Sequence, residues 1–215
     1  FEAIESTGGL ASVDMLGDGR ADFALLSNHV RGNEGIRLVA VLYEETLQVV
    51  VRRDAGIATP LDLRGRRVAV GPDGSGTETI AETVLHHFGI GDGDLDRRNM
   101  TPAEARALLE RGELDAVFIV AGMRTPAVDA LLSRDDMRLL SLGNPGVVGS
   151  ALDGIRLDAP YFAATTVPER AYGRQPEVAV GTIGVRALLV CRAELDPALV
   201  HDVTRSLFVL KVPHA

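Results

Sequence analysis

The chain has no tryptophan, one cysteine (Cys191) and one lysine (Lys211), and aromatic residues make up only 4% of it. A lone cysteine excludes an internal disulfide and a cysteine-rich metal site. Its setting, Leu188-Leu189-Val190-Cys191, reads as a strand, so a buried, inert thiol is expected. So few aromatics leave little to stack against bases or sugars. Positive charge is also short: a formal charge of -8 and a pI near 5.1 do not suit a general nucleic-acid binder, whose phosphate contacts need a basic face. The dominance of arginine among the 22 basic residues is read as compositional bias. No apolar run approaches the roughly 20 residues of a membrane span. His-x-x-x-His and Cys-x-x-Cys spacings are absent, so neither a metal nor a cofactor is expected.

What remains is a chain of 215 residues, 46% hydrophobic, able to bury a sizeable core as one large domain or two small lobes. Two segments nearly repeat one another. Gly19-Arg20-Ala21-Asp22-Phe23-Ala24-Leu25-Leu26 and Gly112-Glu113-Leu114-Asp115-Ala116-Val117-Phe118-Ile119 each read as helix stop, turn and buried strand. Such repetition predicts two α/β lobes of similar build. In the second copy a complete strand–loop–helix unit, residues 68–88, stands ahead of the helix ending at Gly112. The first copy has no such unit, and the chain opens on Phe1 to Glu5, which alternates like the middle of a strand. Roughly 25–40 further residues are therefore expected ahead of Phe1.

Along the chain, strands are expected at 1–5, 23–26, 38–42, 47–51, 68–70, 114–120 and 137–142. Residues 178–191 are strand-like, with Gly181 and Gly184 as interruptions. Helices are expected to about Leu16, behind Thr77, after Thr101-Pro102-Ala103-Glu104 with its capping-box pattern, after Thr125-Pro126 and after Asp196-Pro197. Residues 143–160 read as loop. The last helix groups Leu199, Val200, Val203, Leu207 and Phe208 on one face.

Four loops lie at the carboxyl ends of strands, where ligands bind in open α/β sheets. Gly71 to Thr77 is the strongest signal: glycines after a strand let amides turn inward, and the following helix offers unpaired N–H groups and a positive dipole end. Ser75 and Thr77 add hydroxyls, which suits a phosphate or carboxylate. Thr77 stands where a phosphate-loop nucleotidase needs lysine, so nucleotide hydrolysis is excluded. Ser6-Thr7-Gly8-Gly9 holds the corresponding place in the first lobe, while Ser27-Asn28-His29 and Ala121-Gly122-Met123 end the repeated strands. Asp22 and Asp115 read as turn caps, and His86 and His87 as a solvated helix face. No nucleophile motif accompanies His29, the one histidine at a strand end. The groups present bind; none is arranged to react.

Leu42 to Glu45, Val49 to Ile57, Asp62 to Gly71 and Gly74 to Thr77 resemble the solute-binding subunits of TRAP transporters, specifically the TAXI family. The resemblance extends to the Gly112–Val120 turn and strand and to the segment from Val167-Pro168 to Tyr172. It implies a two-lobed α/β fold of the periplasmic-binding-protein kind, type II, with mostly parallel sheets and crossing hinge strands near Val51–Ile57 and Val178–Val185. One lobe would comprise residues 1–55 and 180–215, incomplete at its N-terminal side, and the other 56–179. The implied function is non-catalytic capture of a small organic anion, a dicarboxylate or an amino acid such as glutamate, for membrane permease subunits. An extracytoplasmic or periplasmic location is implied with it. The matching ligand residues are Ser6, Thr7, Gly8, Gly9, Asn28, Tyr43, Ser75, Gly76, Thr77 and Gly122. Leu10 departs from the family's first loop, and Ser12 stands near its asparagine position. Two alternatives stay open: a ligand-sensing domain of a receptor or regulator on the same fold, and a transferase-like enzyme on the same scaffold.

Overall fold

The computed structural model describes residues 2–6 and 8–209. The chain forms two compact units, Phe1–Tyr43 with Arg186–Ala215 and Glu44–Val185. It passes from one to the other within two long strands, β2 (Ile36–Arg52) and β8 (Val180–Arg192).

In unit 2, β3 (Arg67–Ala69) pairs in parallel with β4 (Asp96–Arg98) on one side and β5 (Ala116–Ala121) on the other. The second half of β2 pairs antiparallel with β5 and with β6 (Met137–Leu139), and β7 (Ala163–Val167) pairs antiparallel with the first half of β8. The strand pleat sends alternate residues to opposite faces, and both faces are covered. Leu47, Val49 and Val51 pack with Val68, Val70 and Phe118 beneath α2 (Gly76–His87) and α5 (Ala151–Asp158). Val50, Ala69, Val117 and Ile119 face the other way, onto α3 (Pro102–Glu110) and α4 (Pro126–Leu132). The capping box of α3 forms as expected: Thr101 Oγ1 accepts from the Glu104 amide at 3.3 Å, and Glu104 accepts from the Thr101 amide at 2.8 Å.

Unit 1 is slighter. The pair α1 (Gly9–Gly17) and β1 (Phe23–Ser27) packs through Leu16 and Leu26 onto Val190 of β8, which pairs antiparallel with β1. The helix α6 (Pro197–Val209) leaves Leu199, Leu207 and Phe208 exposed.

Several expectations are corrected. Residues 2–5 alternate in sequence but form no strand and are exposed, because no strand among the described residues pairs with them. The apolar runs 38–42 and 47–51 are one uninterrupted strand, since Tyr43 to Thr46 continue the ladder. Residues 143–160 contain α5, which buries Leu152 and Ile155 on one side. Gly181 and Gly184 do not interrupt β8; they let neighbours approach its backbone. A Cβ on Gly181 would stand 2.0 Å from the Gly143 carbonyl oxygen, and one on Gly184 would meet the Glu44 side chain. His87 is not simply solvated: its Nδ1 lies 2.6 Å from an Asp158 carboxylate oxygen, and its ring fills the space beside Gly154.

Gly181→Ala therefore forces two backbones apart. Its midpoint in urea unfolding is expected to fall by the equivalent of about 3 kcal/mol, the upper end of overpacking penalties, while a Gly93→Ser control, with open space around it and no positive φ, meets no neighbouring atom.

Candidate functional site

The glycine-rich loop of unit 2 is held from both ends. Asp115, mostly buried, accepts from the Arg67 backbone amide at 3.0 Å, from its Nε at 2.9 Å and from its Nη2 at 2.6 Å. A turn carboxylate thus fixes the first residue of β3 beside β5, and the strand delivers Gly71 to the sheet edge. Hydrogen bonds from Arg67 hold the Asp115 carboxyl below its ordinary value of 3.8, against burial. Asp22, its repeat counterpart, pairs instead with Arg192 at 2.6 Å.

Beyond β3, Gly71 has φ +99°, and a Cβ there would meet Thr77 Cβ at 2.8 Å and Ser75 Oγ at 3.0 Å. Only glycine lets the loop fold back so closely on the helix start. Ser75 caps α2, its Oγ accepting from the Glu78 amide at 3.2 Å, and Glu78 reaches back to the Gly74 amide at 2.6 Å. Asn99 donates to the Gly71 carbonyl at 3.2 Å and to Glu78 at 2.6 Å, while Arg97 pairs with Glu78 and Glu82. Burial pushes the Glu78 carboxyl up, but Gly74, Asn99 and Arg97 together hold it below 4.5. With Glu78 capped and the Thr79 amide bonded to the Ser75 carbonyl, the amides of Gly76 and Thr77 have no acceptor among the described residues. Two N–H groups at a helix start, beside the Ser75 and Thr77 hydroxyls, make a corner of donors whose chemistry suits an anion.

At the end of β5, Gly122 is surrounded by open space. Two residues on, Arg124 adopts φ +63°, a conformation uncommon for arginine, and its amide donates to the Tyr172 hydroxyl at 3.0 Å. Tyr172 in turn donates to buried Gln48. The Arg124 side chain is exposed, and its charge acts on the Tyr172 hydroxyl. Sequence reading passed over it; the signal was an arginine directly after a strand-end Gly-x dipeptide.

In unit 1, Thr7 lies outside the described residues. Ser6 Oγ and Ser12 Oγ are 2.7 Å apart, closing the loop through Gly8 and Gly9. Gly8 has φ +150°, and a Cβ on Gly9 would meet Val30 at 2.5 Å. Asn28 is pinned to β8: its Oδ1 accepts from the Arg186 amide at 3.0 Å and its own amide donates to the Arg186 carbonyl at 2.9 Å. Tyr43 is exposed on β2. Within unit 2, Ser75, Gly76 and Thr77 share one corner and Gly122 ends the adjacent strand β5; Ser6, Gly8, Gly9, Asn28 and Tyr43 belong to unit 1.

Burial lowers the His29 pKa, which favours a neutral ring, and raises that of the buried Cys191 thiol. Among the described residues no group of three or more His, Cys, Asp or Glu could hold a metal ion, and no helix is long and apolar enough to cross a membrane.

This architecture is that of two-lobed α/β periplasmic-binding-protein-like folds. The chain is similar to the periplasmic aliphatic sulphonate binding protein SsuA of Escherichia coli, with 19% identity and a TM-score of 0.58, over 95% of this chain and 60% of that one. It thus spans about three-fifths of SsuA's length. A mutant of ArgBP from T. maritima is similar at 15% identity and TM-score 0.53, over 95% and 68% of the two chains. The effector binding domain of a BenM variant follows at 12% and 0.56, over 94% and 78%. Residues 1–210 match the NMT1-like family, and the chain belongs to it. The likeness is to binding proteins, one of them periplasmic, and holds at the level of family and fold.

Two expectations follow from the loop's supports. Asp115→Ala leaves Arg67 without its acceptor and is expected to lower unfolding free energy by about 2–3 kcal/mol. Because the folded-state pKa values of Asp115 and Glu78 are depressed, their stabilisation is complete above the ordinary values of 3.8 and 4.5 and is lost as pH falls below them. Melting temperature measured from pH 7 to pH 3 should drop in that acid window, and less steeply in Asp115→Ala.

Proposed function

We propose that this protein is an extracytoplasmic solute-binding protein of the TAXI type, which captures a small organic anion and delivers it to the membrane permease of a TRAP transporter. The observation that carries the reading is the corner at the start of α2, where the Gly76 and Thr77 amides have no acceptor among the described residues and lie beside the Ser75 and Thr77 hydroxyls. A carboxylate fits it: the amides donate, the helix dipole favours the charge, and Arg124 near the end of the neighbouring strand supplies a cation. The solute class is a dicarboxylate or an amino acid such as glutamate; Ser6, Thr7, Gly8, Gly9, Asn28 and Tyr43 are proposed ligand residues of unit 1, taken by itself. Membership of the NMT1-like family and likeness to a sulphonate-binding protein support uptake of a small anion. Similarity to an effector binding domain favours a second reading, in which the same chemistry serves a ligand-sensing domain.

Thermal shift against a panel of dicarboxylates, keto acids and amino acids tests ligand capture. A solute at 100 times its dissociation constant is expected to add about 2.7 kcal/mol of stability. Thr77→Val and Arg124→Ala should each abolish most of the shift. No shift with any organic anion overturns the carboxylate reading; a shift unaffected by either substitution places the ligand elsewhere.

A further inference from the structure

The turn after β5 keeps an arginine where this chain mostly uses glycine. Arg124 has φ +63° and an exposed side chain. Arg170 is the other non-glycine residue at positive φ among the described residues, and its guanidinium pairs with Glu169 at 3.3 Å. A bulky residue retained in a sparsely populated conformation points to a use for its side chain.

The conformation is held from the core. The Arg124 amide donates to the Tyr172 hydroxyl at 3.0 Å, and that hydroxyl donates its own proton to Gln48 Oε1. Burial raises the Tyr172 pKa, so the hydroxyl stays protonated and keeps both roles at neutral pH. Tyr172 is tied down in turn: its amide donates to the Gln175 carbonyl at 2.8 Å, and Gln175 Nε2 donates to the carbonyls of Leu132, Arg134 and Met137. One short segment thus grips the C-terminal end of α4 and the turn ahead of its N-terminal end.

Stability does not explain Gln48. It lies on the α3 and α4 side of the sheet with Val50, is 1% exposed, and its Nε2 has no hydrogen-bond partner among the described residues. Apolar residues at 48 and 172 would fill the same space and leave nothing unsatisfied, so packing alone does not call for this pair. What the pair supplies is a fixed acceptor for the Arg124 amide.

We propose that Tyr172, seated on Gln48, is a positioning residue: it holds Arg124 in the turn that presents its guanidinium beyond the carboxyl end of β5, to the second acid group of a solute whose first carboxylate lies at the start of α2. The proposal rests on the carboxylate reading of that corner and adds that the solute is a diacid whose preference is set by residues that do not touch it. Gly122, with open space around it, leaves room for a ligand beside Arg124. A planar guanidinium takes a carboxylate through two parallel hydrogen bonds only when it is correctly aimed. Without the Tyr172 hydroxyl the turn relaxes toward negative φ and the side chain swings away.

Calorimetric titration of the wild-type protein, Tyr172→Phe, Arg124→Ala and the double variant compares each diacid with its isosteric monoamide: glutamate with glutamine, succinate with succinamate. The wild type is expected to prefer the diacid of at least one pair about tenfold or more. Tyr172→Phe should lose about that factor on the diacid and little on the monoamide, and should add nothing once Arg124 is replaced by alanine. In the free protein, the φ-dependent coupling between the amide proton and Hα of residue 124 should change in Tyr172→Phe. Gln48→Met removes the acceptor of the hydroxyl; it is expected to give the same selective loss in milder form, and it carries the test if Tyr172→Phe does not fold. Equal weakening of diacid and monoamide, or the same loss in the Arg124→Ala background, marks Tyr172 as merely structural and overturns the proposal. Diacid binding that Thr77→Val abolishes and Tyr172→Phe leaves intact overturns the positioning role alone. Absence of binding by any diacid overturns the proposal too, and the carboxylate reading falls with it only if keto acids and amino acids also give no thermal shift.

Discussion

The placement of β3 depends on one carboxylate. Asp115 sits at the turn before β5 and accepts from the first residue of β3 through its amide and through the Nε and Nη2 edge of its guanidinium. That contact fixes where β3 begins, the parallel register fixes its direction, and four residues after Arg67 Gly71 emerges beyond the carboxyl end of β3. The corner of donors at the start of α2 follows from that point, because a Cβ on Gly71 would meet Thr77 at 2.8 Å. The network of Asn99, Glu78 and Arg97 then prevents the corner from relaxing. A preformed set of donors costs little ordering on binding, which favours affinity for a small ligand.

The two units use this plan unequally. Unit 2 surrounds β3 and β5 with helices on both faces, and its apolar residues divide cleanly by strand parity. Unit 1 has the helix, the turn and the strand of the plan, but among the described residues its buried apolar cluster is Leu16, Leu26 and Val190. Asp22 illustrates the difference: a residue in Asp115's position pairs with Arg192 at the surface.

Much of this was legible in the sequence. Thr101, Glu104 and Gly112 marked α3 and its end, and the Gly71–Thr77 loop was placed correctly between a strand and a helix. The less legible elements owe their form to partners. Asp96-Arg97-Arg98 is too polar to read as a strand and becomes β4 because β3 pairs with it. Tyr43 to Thr46 look like a break between apolar runs, yet the ladder carries β2 straight through them. Residues 2–5 have the strand pattern without a neighbour among the described residues to pair with, so pattern alone overstated them. In α5 only Leu152 and Ile155 face the core, too short a stripe to show against the surrounding glycines. Of the candidate site, the Ser75–Thr77 corner was visible from glycine spacing and helix chemistry. Arg124 was not, since its significance lies in a backbone conformation held by Tyr172, 48 residues away in the chain.

On the proposed reading, the start of α2 accepts a carboxylate. Backbone NMR of the labelled protein, titrated with glutamate and with a series of dicarboxylates, reports on that corner directly. The account predicts that saturating ligand shifts the Gly76 and Thr77 amide protons downfield, more than any other amides of unit 2, as hydrogen bonds to a carboxylate form. Saturable binding that leaves those two amides unmoved would contradict it.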